Sequence, residues 1–249
     1  MKHQFRKKWG QNFLRDPNII RKIINCLDPD ENDYILEIGP GDGALTDMLY
    51  GQVQHIHGVE IDPILIKHLK KKQYDNVSLY SADILRWDLG ILPEKIKIIS
   101  NLPYYISSPI LFRLLIISGW SKMVLMFQKE VADRIVSQPG RKSYGRLSVM
   151  CQAYCHVKIE FTVSRDVFHP KPDVDSAVLT FTPRNDELPK MEPFSDFIKQ
   201  AFSQRRKKLK NNLPQDYKSG VLDKWADLRP EQLPPKDYIQ LFQEISQRI

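Results

Sequence analysis

The chain has 249 residues, 42% of them hydrophobic and 27% charged, with a formal net charge of +7 and a pI near 9.2. That length suits one generous domain, or a large domain with a small companion. No apolar run nears the ~20 residues of a membrane span, and the basic start MKHQFRKKWGQNF lacks the apolar stretch of a secretory signal. Three scattered cysteines do not make a disulfide framework. The expectation is a cytoplasmic, monomeric protein with no membrane partner. Cys151 and Cys155 lie four apart in an expected helix near His156. A metal site needs more ligands, so they read as buried thiols and no metal is expected.

A basic balance favours polyanionic partners, and the placement of the charges says more. Lys70, Lys71 and Lys72 read as the solvated end of a helix. Lys2, Arg6, Lys7 and Lys8 at the start are interleaved with aromatic residues. So is the cluster Arg205, Arg206, Lys207, Lys208 and Lys210. Lys7, Lys8, Arg205, Arg206 and Lys207 are therefore the candidate contacts to a polyanionic partner.

In chain order, Asp16-Pro17 reads as a helix start, with an N-cap before proline. Ile19, Ile20, Ile23, Ile24 and Leu27 then recur at helical spacing. Tyr34–Ile38 is a short buried strand running into a glycine cluster, and Ala44–Tyr50 follows as a helix. His55–Glu60 is the next strand, and Asp62-Pro63 opens another helix. Val77–Tyr80, Lys97–Ser100 and Lys122–Gln128 are further strands, with a helix over Ser107–Ile117. This alternation predicts an α/β fold, a doubly wound Rossmann-like sheet that is mostly parallel. Val157–Val163 and Val174–Thr182 read as strands with only a loop between them, which predicts an antiparallel pair at the sheet edge. Beyond Pro183 the chain turns polar and proline-rich, with helical stretches at Phe194–Phe202 and Asp237–Ile245. The expected division is 1–184 for the sheet domain and 185–249 for a small helical domain.

The segment Glu37-Ile38-Gly39-Pro40-Gly41-Asp42-Gly43-Ala44 follows the first strand of that sheet. Glycines there let the backbone turn tightly and approach a ligand. Glu60, about 20 residues on, can hold ribose hydroxyls. The loop fits both the dinucleotide pattern and the glycine loop of methyltransferases. Glu37, Pro40 and Asp83 favour the latter, since a carboxylate at Asp83 can accept a hydrogen bond from an adenine amine.

Asn101-Leu102-Pro103-Tyr104 ends the fourth strand, where doubly wound sheets bind ligands. An amino nitrogen conjugated to a ring is a poor nucleophile. The Asn101 side-chain carbonyl and the Leu102 backbone carbonyl are suited to accept its two hydrogens, and Tyr104 to stack on its base. Pro103 biases Leu102 toward an extended backbone.

These segments resemble the ribosomal RNA adenine dimethyltransferase family. The likeness begins at Lys8–Leu14 (KWGQNFL) and continues through Glu37–Thr46 (EIGPGDGALT) and Asn101–Leu111 (NLPYYISSPIL). It includes Phe127–Ala132, Phe168–Ser176 (FHPKPDVDS) and Phe202–Leu209 (FSQRRKKL). Ser107-Ser108-Pro109-Ile110, the Phe168 segment and the Arg-Arg-Lys segment resemble the small-subunit branch more than the large-subunit branch that confers macrolide resistance. The resemblance implies a class I methyltransferase fold and S-adenosyl-L-methionine as cofactor, contacted by Asn12, Leu14, Gly39, Gly41, Glu60, Asp83 and Asn101. It implies that Asn101, Leu102, Tyr104 and Phe168 handle the adenine, with Phe168 stacked opposite Tyr104. The implied substrate is a pair of adjacent adenines in the 3′-terminal hairpin loop of small-subunit (16S) ribosomal RNA. The implied partner is a pre-30S-type particle, with a link to small-subunit biogenesis.

Overall fold

The computed structural model describes residues 12–117, 119–184, 187–214 and 222–247. Lys7 and Lys8 lie outside the described residues. The described elements are β1 (Phe13–Leu14), α1 (Pro17–Leu27), β2 (Tyr34–Ile38), α2 (Thr46–Leu49), β3 (His55–Glu60) and α3 (Pro63–Lys70). They continue with β4 (Val77–Ser81), β5 (Lys97–Asn101), α4 (Ser107–Leu115), β6 (Lys122–Gln128), α5 (Lys129–Ile135) and α6 (Arg146–Tyr154). The last are β7 (Cys155–Val163), β8 (Phe168–His169), β9 (Ser176–Pro183), α7 (Met191–Ala201), α8 (Leu209–Asn212) and α9 (Pro235–Ser246).

The main sheet has seven strands in the order β4-β3-β2-β5-β6-β9-β7. Strands β4, β3, β2, β5 and β6 are parallel, and β9 runs antiparallel to β6, with Leu125 opposite Leu179. Parallel neighbours need a crossover, and the intervening helices supply it. From β2 the chain moves outward to β3 and β4, then returns to β5 on the other side. That reversal leaves a crevice at the carboxyl ends of β2 and β5, where ligands bind in such sheets. The expected edge pair is present as β9 and β7, with β9 inserted between β6 and β7.

Local chemistry sets several element ends. The Asp16 side chain accepts from the Asn18 and Ile19 amides and so caps α1. Asp62 does the same for α3 through the Ile64 amide. α1 packs Ile20, Ile23, Ile24 and Leu27 into a cluster with Ile35, Ile56, Ile99, Val124 and Val178. α2 is shorter than the expected Ala44–Tyr50 helix. The glycine loop closes into hydrogen-bonded turns first, through Gly43 N to Pro40 O at 2.8 Å. Cys155 is likewise not helical: α6 ends at Tyr154 and Cys155 opens β7. Both Cys151 and Cys155 are buried free thiols, as the sequence suggests.

The chain divides into two compact units, one of 1–132 with 158–182 and the other of 133–157 with 183–249. The sequence alone suggests a single boundary at 184. The structure instead adds α6 and the loop before it to the helical unit. There α6 packs on α7 and α9. An aromatic core joins Phe194, Phe197 and Phe242, with Phe194 and Phe242 meeting edge to face at 5.5 Å.

Candidate active site

Every strand of the parallel run that faces the crevice delivers one residue type to it. The glycine loop follows β2, Glu60 ends β3, Asp83 follows β4 and Asn101 ends β5. These residues line one cleft together with Asn12, Leu14, Leu102, Pro103 and Tyr104. Its empty space is about 990 Å³ including the open mouth, enough for a nucleoside-sized ligand.

Gly39 and Gly41 both have positive φ, +64° and +63°, a backbone that favours glycine. At Gly41 a Cβ would also stand 3.1 Å from the Phe13 ring. The segment before α1 thus lies directly on the glycine loop. Arg15 reinforces this by pairing with Asp42.

Glu60 is buried, and each of its oxygens already accepts one backbone amide. Gly41 N lies 3.1 Å from Oε2 and Asp62 N 2.9 Å from Oε1. The carboxylate is fixed in place while keeping lone pairs for a ligand's hydroxyls. Burial pushes its pKa up, and these amides oppose the rise. Glu37 is fully buried beside the loop, where Thr46 Oγ1 donates to it at 2.7 Å. Burial pushes its carboxyl up to about 7, against the Thr46 hydrogen bond and with help from Asp47 and Glu60. Asp83 caps its own turn through the Leu85 amide, 2.9 Å away. That turn is held from α4, where Arg113 donates to the Ile84 and Trp87 carbonyls at 2.8 and 2.6 Å.

At the reaction end, Asn101 Nδ2 donates to the Asn12 carbonyl at 2.9 Å. That bond uses the amide's donor side and leaves its carbonyl oxygen as the free acceptor. Pro103 has φ −60° and ψ 120°, an extended link between Leu102 and the single turn Tyr104–Ile106. Tyr104 Oη sits 2.6 Å from Ser176 Oγ, so β9 holds the ring through its first residue. Burial raises the Tyr104 hydroxyl's pKa.

Phe168 does not reach this cleft. It pairs with Leu14 across the short β1–β8 ribbon and is only 4% exposed, inside the apolar cluster with Ile20, Met126 and Val178. In this structure it packs with that cluster and also borders an open surface hollow with Arg15, Asp16 and His169. Arg205, Arg206 and Lys207 are exposed in the turn between α7 and α8, within the helical unit.

Sequence reasoning names Asn12 through the resemblance but not its carbonyl's bond to Asn101, and it misses Ser176 and Tyr105 as contributors. The Asn12 carbonyl carries no residue signature. Ser176 was visible only as a member of its motif. Tyr105 lies at the cleft and is 58% exposed; an aromatic residue beside the tetrapeptide was the available signal. Among the described residues no cluster of metal-ligating side chains occurs, and no helix is long and apolar enough to cross a membrane.

A family model described as ribosomal RNA adenine dimethylase matches residues 2–247. A curated relative from Mycoplasma mobile, ribosomal RNA small subunit methyltransferase A, is 42% identical over 99% of this chain and 100% of its own length. The crystal structure of a dimethyladenosine transferase from Plasmodium falciparum superposes with a TM-score of 0.84 at 28% identity, covering 95% of this chain and 98% of that one. The 23S rRNA methyltransferase ErmE superposes with a TM-score of 0.72 at 25% identity, covering 94% and 99%. With its glycine loop, its Asn-Leu-Pro-Tyr turn and a likeness that runs nearly end to end, the chain belongs to the ribosomal RNA adenine dimethylase family.

Proposed function

We propose that the chain transfers methyl groups from S-adenosyl-L-methionine to N6 of two adjacent adenines in the 3′-terminal hairpin loop of 16S ribosomal RNA, within a pre-30S-type particle. The observation that carries this reading is the shared cleft. Asn101–Tyr104 lines the same crevice as the glycine loop, Glu60 and Asp83. The donor set fits the cofactor: fixed carboxylate oxygens at Glu60 suit a ribose, and Asp83 suits an adenine amine. When bound, the cofactor supplies a methyl group on a cationic sulfur, already activated for transfer.

The chain's own residues then have to position and orient. The Asn101 Oδ1 and the Leu102 carbonyl accept the two hydrogens of the target amine, which favours a pyramidal nitrogen with its lone pair available. Tyr104 stacks on the base, which must leave its own stack to enter. No strong base is needed before attack, because the proton leaves after the methyl arrives. Positioning of this kind supplies much of the rate.

The test is transfer of labelled methyl to undermethylated small subunits, with dimethyladenosine mapped by mass spectrometry. Dimethylation at the 16S hairpin supports the reading, and no transfer would sink it. Dimethylation of large-subunit RNA instead would assign the chain to the macrolide-resistance branch, a reading favoured by the likeness to ErmE. Asn101→Ala should cut turnover by roughly 100-fold or more, the scale of losing one transition-state hydrogen bond.

A further inference from the structure

Asp83 sits on a short turn that follows β4, and the turn is tied down at several points. Ala82 N donates to the Glu60 carbonyl at 3.0 Å, and Arg86 N and Trp87 N both donate to the Asp83 carbonyl, at 2.9 and 2.8 Å. Of the Asp83 carboxylate oxygens, Oδ1 accepts from Leu85 N at 2.9 Å. The other accepts no hydrogen bond among the described residues. At the far end of the turn the Trp87 ring lies 4.9 Å from that of Tyr80 on β4.

Two carbonyls of this turn, those of Ile84 and Trp87, accept no backbone amide among the described residues. Arg113 takes both. Its Nε donates to Ile84 O at 2.8 Å and its Nη2 to Trp87 O at 2.6 Å. A guanidinium carries its donors in a fixed planar fork, so the two bonds set the spacing of the carbonyls as well as their place. Arg113 is half-buried near the end of α4, and α4 begins at the reaction end of the cleft. There Ser107 Oγ donates to the Tyr104 carbonyl at 3.0 Å. Ile110, fully buried, lines the cleft, and one turn beyond it the helix delivers the guanidinium to the Asp83 turn. A single helix thus connects the Asn-Leu-Pro-Tyr turn to the carboxylate assigned to the cofactor's base.

We propose that Arg113 is a positioning residue that sets the choice of cofactor base, holding the turn so that the Asp83 carboxylate meets an exocyclic amine. The inference rests on the reading of the cleft as a site for S-adenosyl-L-methionine. An amine on the base presents a donor to the carboxylate, whereas a carbonyl in its place presents lone pairs and is repelled. That discrimination depends on aim, because a hydrogen bond weakens steeply as its angle closes. The free Asp83 oxygen keeps its aim only while the turn beneath it is fixed.

Calorimetric titration of the full chain compares S-adenosyl-L-homocysteine with S-inosyl-L-homocysteine, in which a carbonyl replaces the amine. The wild type should prefer the first by roughly tenfold or more, the scale of one hydrogen bond to a charged group. Arg113→Gln should bring this ratio toward one. Arg113→Lys keeps the charge but cannot hold both carbonyls in one fork, so it should also lower the ratio, and it carries the test if Arg113→Gln does not fold. A merely structural arginine would weaken both compounds alike and leave the ratio where it was. An unchanged ratio in a folded Arg113 variant therefore overturns the assignment. Asp83→Asn gives the reference loss of selectivity, and adding Arg113→Lys to it should lower the ratio no further; additive losses would show that the two residues act apart and overturn the assignment as well. A wild-type chain that binds neither compound, or both equally, strikes the reading of the cleft and this inference with it. Selective binding that ignores Arg113 strikes the inference alone.

Discussion

Glu37 gives the sharpest quantitative test, because a carboxyl held near pH 7 inside the fold ties stability to pH. Its ordinary value is 4.5 and burial raises it to about 7. The folded chain therefore holds this proton more tightly than the unfolded chain does. The stabilisation is full below about pH 4.5, falls as pH rises to about 7, and is flat above that. At about 1.4 kcal/mol for each tenfold difference in proton affinity, ionising Glu37 costs the fold about 3 kcal/mol at pH 8. Glu37→Gln keeps the size and a carbonyl to accept from Thr46 but cannot ionise. Urea unfolding of both proteins, followed by circular dichroism, isolates the effect as the difference between them. That difference should move in favour of the variant by about 2.5 kcal/mol between pH 5 and pH 8, since part of the loss has already occurred at pH 5. Cofactor affinity should show the mirror image: a cationic ligand in the same cleft favours the ionised carboxylate, so binding tightens with pH in the wild type and less in the variant. A stability difference that stays flat from pH 5 to pH 8 would refute the reasoning.

Gly41→Ala should cost about 1–2 kcal/mol of stability from its positive φ, with Phe13 displaced by a few tenths of an ångström. Calorimetric titration should show a disproportionate loss of cofactor binding, and unchanged binding would remove the loop from the site. Tyr104→Phe and Ser176→Ala each break the same hydrogen bond. Each should cost about 1 kcal/mol in urea unfolding, and the double variant should be no worse than the poorer single; additive losses would show that the two groups act apart. Phe168→Ala should destabilise by about 3–5 kcal/mol as a core deletion. Phe168→Leu should keep fold and turnover alike, and a well-folded Phe168→Leu protein without methylation would return the ring to the adenine's side.

The legible parts of this fold share one property: a residue type that acts alone. Asp16 announces a helix start by its side chain, and Tyr34–Ile38 announces a buried strand by an apolar run broken only at Glu37. The tetrapeptide at Asn101 declares its chemistry because amide, proline and aromatic ring each have few reasons to be adjacent. What stayed hidden depends on partners far along the chain. The β1–β8 ribbon is two residues long on each side, and it joins Leu14 to Phe168 without a periodic pattern. That pairing turns Phe168 inward, which its motif alone did not disclose. Cys155 reads as helical because Cys151 stands four residues earlier, and no glycine or proline marks the end of α6 at Tyr154. The membership of 133–157 in the helical unit follows from α6 packing on α7 and α9, an association across tens of residues.

The hydrogen bond from Asn101 to the Asn12 carbonyl joins two functions of the cleft. Each methyl group on one adenine comes from a separate donor molecule, so the spent cofactor has to be exchanged between transfers. Asn12, Phe13 and Leu14 form one wall of the cleft. The Asn101 amide therefore takes its orientation from the cofactor's own wall. A substitution that shifts Asn12–Leu14 would disturb the fit of the donor and the aim of the amide together.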